Sequence, residues 1–202
     1  MTVVLVDYGS GNLRSLRAAV ERAGGDVVVS DDPATVAGAR RLMVPGQGAA
    51  GPTMATLRRT VLEQAIREAI GQGAYLLGVC VGLQLLFDAS AEDDATCLGL
   101  IPGRVERLEG TERLPHMGWN DVEPVGPPHP LAEGLPACAY FAHSYAVRDA
   151  GPTAVAETEV DGVRFTSVVA AGRVAGAQFH PERSSAAGLA MLHGFLRWSD
   201  AT

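Results

Sequence analysis

Apolar residues in the first half of the chain alternate between short unbroken runs and longer stretches of helical spacing, a pattern that predicts βαβ units around a parallel sheet. Residues 3–7 read as a buried strand. The turn Tyr8-Gly9-Ser10-Gly11 follows, then Leu13, Leu16 and Val20 recur at helical spacing until Gly24-Gly25 stops that helix. A second strand is expected over 27–29. Residues 41–44 lead into a Gly/Pro-rich loop over 45–52, beyond which Met54, Leu57, Val61, Leu62, Ala65 and Ala69 share one stripe and predict a single helix. The continuous apolar run over 74–79 predicts a central strand buried on both faces.

Beyond about residue 100 the spacing changes to short alternating strands broken by Pro and Gly, as over 163–170 and 173–179. A final helix over 185–198 carries Leu189, Leu192 and Leu196 inward. The fold class expected is α/β: a central, mostly parallel sheet flanked by helices, with an antiparallel extension in the second half. No internal repeat or low-complexity linker interrupts residues 1–202, which are expected to form one domain. With 202 residues, 47% of them hydrophobic and 19% charged, a sizeable core can be buried within the size of one domain.

Charge and cysteine content narrow the chemistry. A net charge of −7 with no run of Lys or Arg argues against nucleic acid or an anionic membrane as the main partner, because phosphate binding needs clustered positive charge. The longest apolar runs fall well short of the roughly 20 residues that cross a bilayer. The N-terminus lacks the basic and apolar regions of a signal peptide, so a cytoplasmic location is expected. Cys80, Cys97 and Cys138 are an odd set without metal-ligand spacing, which indicates neither a disulfide scaffold nor a zinc site. No metal or cofactor is expected. A reactive thiol remains open.

Gly78-Val79-Cys80-Val81-Gly82 places a thiol between the predicted strand and an apolar helix over 83–87. This is a nucleophile elbow with Cys in place of Ser: the flanking glycines permit a tight, strained turn, and the helix N-terminus favours a thiolate. A structural cysteine in a glycine-rich turn would show the same local pattern. Gln178-Phe179-His180-Pro181-Glu182 ends another predicted strand, at the edge of the sheet where α/β active sites collect. Cys80 as nucleophile, His180 as base and Glu182 orienting the imidazole make a triad. Pro45-Gly46-Gln47-Gly48 follows a third strand at the same edge, where freed backbone N–H groups can stabilise an oxyanion. No Gly-Lys-Ser/Thr follows it, so it is not a phosphate cradle.

These residues resemble the class I glutamine amidotransferases, and the resemblance spans nearly the whole chain. Within that family the chain is similar to the glutaminase subunits of imidazole glycerol phosphate synthase, through Tyr8-Gly9-Ser10-Gly11-Asn12-Leu13, Leu98-Gly99-Leu100-Ile101-Pro102-Gly103, Pro115-His116-Met117-Gly118-Trp119-Asn120 and Tyr140-Phe141-Ala142-His143-Ser144-Tyr145. The resemblance implies the class I amidotransferase fold and hydrolysis of glutamine to glutamate and ammonia through a Cys80 thioester. It further implies an oxyanion hole from the N–H groups of Gln47 and Val81, and substrate contacts from Gly48, Gln84, Ser144 and Tyr145. A (β/α)8 cyclase subunit is the implied heterodimer partner and recipient of the ammonia, docking on Asn12, Met117, Trp119, Asn120 and Tyr140. Gln47 and Val81 stand where the family often has an apolar residue and a Leu.

Other readings fit parts of the pattern: the glutaminase of another class I amidotransferase, a partner-independent cysteine hydrolase of the same fold acting on peptides or γ-glutamyl compounds, or a binding module with a dead site. Trp119 and Tyr140 would equally serve as core or turn residues. His129 and His193 are expected to be structural or exposed.

Overall fold

The computed structural model describes residues 1–9, 11–133, 135 and 138–199; Ser10 of the expected first turn lies outside them. In chain order the first half comprises β1 (Thr2–Val6), α1 (Leu13–Arg22), β2 (Asp26–Ser30), α2 (Pro33–Ala37), β3 (Arg41–Val44), α3 (Ala50–Arg59), α4 (Leu62–Gly71), β4 (Tyr75–Val79) and the single turn α5 (Val81–Gln84). The second half comprises β5 (Ala89–Ser90), β6 (Ala95–Thr96), β7 (Arg104–Arg107), β8 (His116–Asp121), β9 (Glu123–Pro124), β10 (Cys138–His143), β11 (Tyr145–Ala146), β12 (Ala154–Val160), β13 (Val163–Ala171), β14 (Val174–Ala177) and α6 (Ser185–Arg197).

The main sheet runs β2-β1-β3-β4-β14-β13-β12-β9. Pairing is parallel from β2 through β4 to β14, then antiparallel outward through β13, β12 and β9. The expected antiparallel extension is present, and β14 is its hinge, parallel to β4 on one side and antiparallel to β13 on the other. Leu42, Met43, Leu76, Leu77, Ala175 and Ala177 are fully buried, as strands covered on both faces require. This arrangement puts the C-terminal ends of β3, β4 and β14 side by side.

The single helix expected across residues 54–69 is two. Val61 adopts a left-handed φ of 62° and is 51% exposed, so it leaves the apolar stripe and separates α3 from α4. Thr60 ends α3 by bonding its hydroxyl back to the Thr56 carbonyl, and the Arg58–Glu63 ion pair spans the corner at 2.9 Å. In α6, Leu192 and Leu196 are buried as expected and Leu189 is half-buried. No described helix is long and apolar enough to cross a membrane.

Candidate active site

Cys80 sits between β4 and α5 at φ 53°, ψ −112°, a strained conformation for a residue with a side chain, costing on the order of 1–3 kcal/mol. The glycines beside it make the turn possible. A Cβ on Gly78 would run into the Gly82 carbonyl, and one on Gly82 would run into the Val44 carbonyl, so β3, β4 and α5 meet at van der Waals distance only because both positions are bare. The helix expected over 83–87 is instead the four-residue turn Val81–Gln84. So short a helix sums few peptide dipoles, and the groups that favour a thiolate are side chains around the sulfur.

His180 is one of them. Its imidazole is hydrogen-bonded to Cys80, and Nδ1 lies 3.0 Å from Glu182 Oε1. Burial works against a charge on this ring, yet its hydrogen bonds to Cys80 and Glu182 and the negative charge of both raise its pKa to about 10. The backbone is pinned as well. The N–H of His180 donates to the Tyr140 carbonyl at 2.9 Å, and buried Ser184 donates to the His180 carbonyl while accepting the N–H of Tyr140. The triad expected from sequence is thus brought together, with Glu182 nearly inaccessible beside the imidazole.

The loop after β3 packs directly on the elbow: a Cβ on Gly46 would lie 2.6 Å from the amide nitrogen of Val81. Val81 opens α5, where the first helical amides have no intrahelical partner. The N–H of Gln47 is differently placed, since it donates to the phenolic oxygen of Tyr8. Tyr8 in turn donates to the Pro45 carbonyl at 2.8 Å. Burial pushes the Tyr8 pKa up to about 12, with the Gln47 hydrogen bond opposing and the nearby Cys80 adding to it. Tyr8 was not singled out by sequence reasoning as a site residue; the Tyr-Gly-Ser-Gly-Asn segment is the signal that contained it.

A cavity of about 190 Å³, sized for an amino acid, opens over Cys80. Gly48, Gln84, Ser144 and Tyr145, the expected substrate contacts, all line it, together with Gln47, Val81 and His180. Gln84 is 2% exposed rather than solvent-facing, and its Oε1 is a buried acceptor without a partner among the described residues, whereas Nε2 donates to the Tyr145 carbonyl at 2.8 Å. His143 donates from Nδ1 to the same carbonyl, and burial, with the opposing bond to Tyr145, takes its pKa down to about 3, leaving it neutral. Two lining residues escaped the sequence reading. Glu92 lies in a short acidic turn with no distinctive spacing and accepts the N–H of Ala50 at 3.1 Å, and burial raises its pKa. Arg183 stacks over the Tyr140 ring at 3.9 Å.

The strand pair β8–β10 runs from this cavity to the surface. Tyr140 faces Trp119 and Ala142 faces Met117 across it, and the Ala142 carbonyl lies 4.0 Å from the Cys80 sulfur. Met117 and Trp119 are 64% and 53% exposed, and Trp119 meets Tyr140 edge-on. Trp119 is therefore a surface residue, not core. Asn120 and Asn12 are committed internally as well: Asn120 Nδ2 donates to the Glu159 carbonyl at 2.9 Å, and Asn12 caps α1 by accepting the Ser15 N–H.

Comparison with known proteins identifies the family and the fold. The family described as glutamine amidotransferase class-I matches residues 4–197. The chain is 50% identical over 199 residues to the imidazole glycerol phosphate synthase subunit HisH of Symbiobacterium thermophilum, covering 96% of this chain and 93% of that protein. It is 43% identical to the HisH subunit of Methylococcus capsulatus, covering 98% and 96%. Among solved structures, a glutamine amidotransferase superposes with a TM-score of 0.75 at 22% identity, covering 96% of this chain and 97% of that one. PurLQS from Thermotoga maritima gives the same score at 20% identity, covering 96% and 97%.

Proposed function

The chain belongs to the class I glutamine amidotransferases, in the branch of the HisH subunits of imidazole glycerol phosphate synthase, and on that premise we propose how its residues divide the work of releasing ammonia from glutamine for histidine biosynthesis. The observation that carries the assignment is Cys80 raised on a strained elbow against an imidazole whose other nitrogen is held by Glu182.

The thiol proton passes to His180, giving a thiolate–imidazolium pair. Sulfur attacks the side-chain carbonyl carbon of glutamine, and the C–O π electrons move to oxygen. Collapse of that oxyanion breaks the C–N bond while the imidazolium delivers its proton to the departing nitrogen, so ammonia leaves and a glutamyl thioester remains. Neutral His180 then takes a proton from water, the hydroxide adds to the thioester, and collapse returns the thiolate and releases glutamate. Val81 and Gln47 supply N–H donors to the oxyanion in this reading, which for Gln47 requires that its bond to Tyr8 be exchanged. The substrate's ammonium group meets Glu92, and its carboxylate meets the Ser144 and Tyr145 segment.

The recipient of the ammonia is a (β/α)8 cyclase subunit docked on the exposed face of β8 and β10, with Met117, Trp119 and Tyr140 as contacts and Asn12 and Asn120 at its margin. Exposed Met117 and Trp119 on β8, paired with β10 whose far end lines the catalytic cavity, suit an interface through which ammonia is handed on. The reading is tested with Cys80→Ala in complex with the cyclase. Glutamine hydrolysis should vanish while the complex still forms and still turns over supplied ammonia; hydrolysis near the parent rate would remove Cys80 from the mechanism.

A further inference from the structure

Among the described residues, a second polar side chain joins His180 at the reacting sulfur. Gln178 is fully buried at the end of β14, and its Nε2 lies 3.7 Å from Cys80 Sγ. Which end of that amide faces the sulfur is fixed by a chain of logic that begins at a backbone carbonyl. The Tyr145 oxygen can only accept, so the Gln84 atom 2.8 Å from it is the NH2 group. The second hydrogen of that NH2 goes to Gln178, at 3.2 Å, and must find the carbonyl end there. Gln178 is thereby turned so that its own NH2 points at Cys80. Two amides in series carry the polarity of one main-chain carbonyl to the nucleophile.

We propose that Gln178 is a catalytic residue of this site, donating an N–H to the Cys80 thiolate and holding it charged both before attack and when the thioester releases sulfur. The inference rests on the reading of Cys80 as nucleophile. It adds a donor that no protonation event on His180 can remove, because an amide keeps its N–H at every working pH. In the second half-reaction sulfur is the leaving group, and Gln178 donates to the emerging thiolate beside the imidazolium that His180 becomes on taking a proton from water. Hydrogen bonds to charged acceptors are the strong ones, so the loss should be visible in rate.

The test uses the complex with the cyclase and two readouts: glutamine hydrolysis, and alkylation of Cys80 by iodoacetamide against pH, followed on the peptide that contains Cys80. Gln178→Met keeps the shape and removes the donor. It should lower kcat/KM for glutamine about tenfold and move half-maximal alkylation to higher pH than in the parent. Gln84→Met leaves Gln178 in place but removes what orients it, and should move alkylation the same way by less. This second variant keeps the test decisive where the first does not fold. Alkylation profiles superimposable on the parent's in either folded variant, whatever the change in thermal stability, would make Gln178 a packing residue and overturn the proposal. The alkylation arm needs no glutamine, so its outcome is separate from whether glutamine is the substrate, which the parent's ammonia release decides.

Discussion

The hydroxyl of Tyr8 ties the loop after β3 at two points, donating to the Pro45 carbonyl at 2.8 Å and accepting the N–H of Gln47. The amide expected to serve the oxyanion is thus occupied by a residue of the segment that leads to Asn12, one of the proposed partner contacts. An oxyanion loop held this way would keep the glutaminase slow until a partner displaces it.

Tyr8→Phe keeps the ring and removes the hydroxyl, freeing Gln47 at the cost of about 1 kcal/mol of stability for the lost hydrogen bond. Ammonia release from glutamine by the isolated chain is expected to rise about tenfold, in proportion to a donor gained by the oxyanion. An unchanged or lower rate in a folded variant would show that Tyr8 does not restrain the loop.

Strain at the nucleophile gives a second expectation. Cys80 holds φ 53°, which glycine adopts far more easily than any residue with a Cβ. Cys80→Gly should therefore be more stable than Cys80→Ala by about 1 kcal/mol, with both inactive. Thermal unfolding of the two variants side by side measures it, and equal stability would mean that the elbow is not strained.

Glu182→Gln changes the pH profile in a direction fixed by sign. The His180 pKa is raised to about 10, with the carboxylate of Glu182 among the causes, so the imidazolium that protonates departing ammonia persists into the alkaline range. Neutralising Glu182 lowers that pKa, and the alkaline limb of kcat/KM for glutamine should move down by about one pH unit. The same raised pKa makes the protonated ring stabilise the fold below its unfolded value of 6.5, a contribution lost as pH rises through about 10.

Trp119 is 53% exposed, so Trp119→Ala should leave the fold and Cys80 alkylation of the isolated chain unaltered. Buried aromatic anchors are typical energetic centres of interfaces, and affinity for the cyclase should fall by about 2 kcal/mol in a calorimetric titration. Undiminished affinity would move the docking surface elsewhere.

The alternation of apolar runs and helical stripes determined the sheet and its antiparallel extension, because burial on one or two faces imposes its own period on each element. The glycine-flanked Cys80 and the His180-Pro181-Glu182 segment were legible for a similar reason: a tight turn and a triad restrict which residue types can stand at neighbouring positions. What the chain could not announce were relationships between distant residues. Val61 broke a continuous stripe because a left-handed corner lets α3 and α4 pack separately, which periodicity alone does not register. Glu92 entered the cavity from an unremarkable acidic turn. Tyr8 met Gln47, and Gln178 met Cys80, only once β1, β3, β4 and β14 were laid edge to edge. Hydrogen-bond direction depends on which donor and acceptor are brought within 3 to 4 Å, a distance that sequence separation does not encode and tertiary packing alone sets.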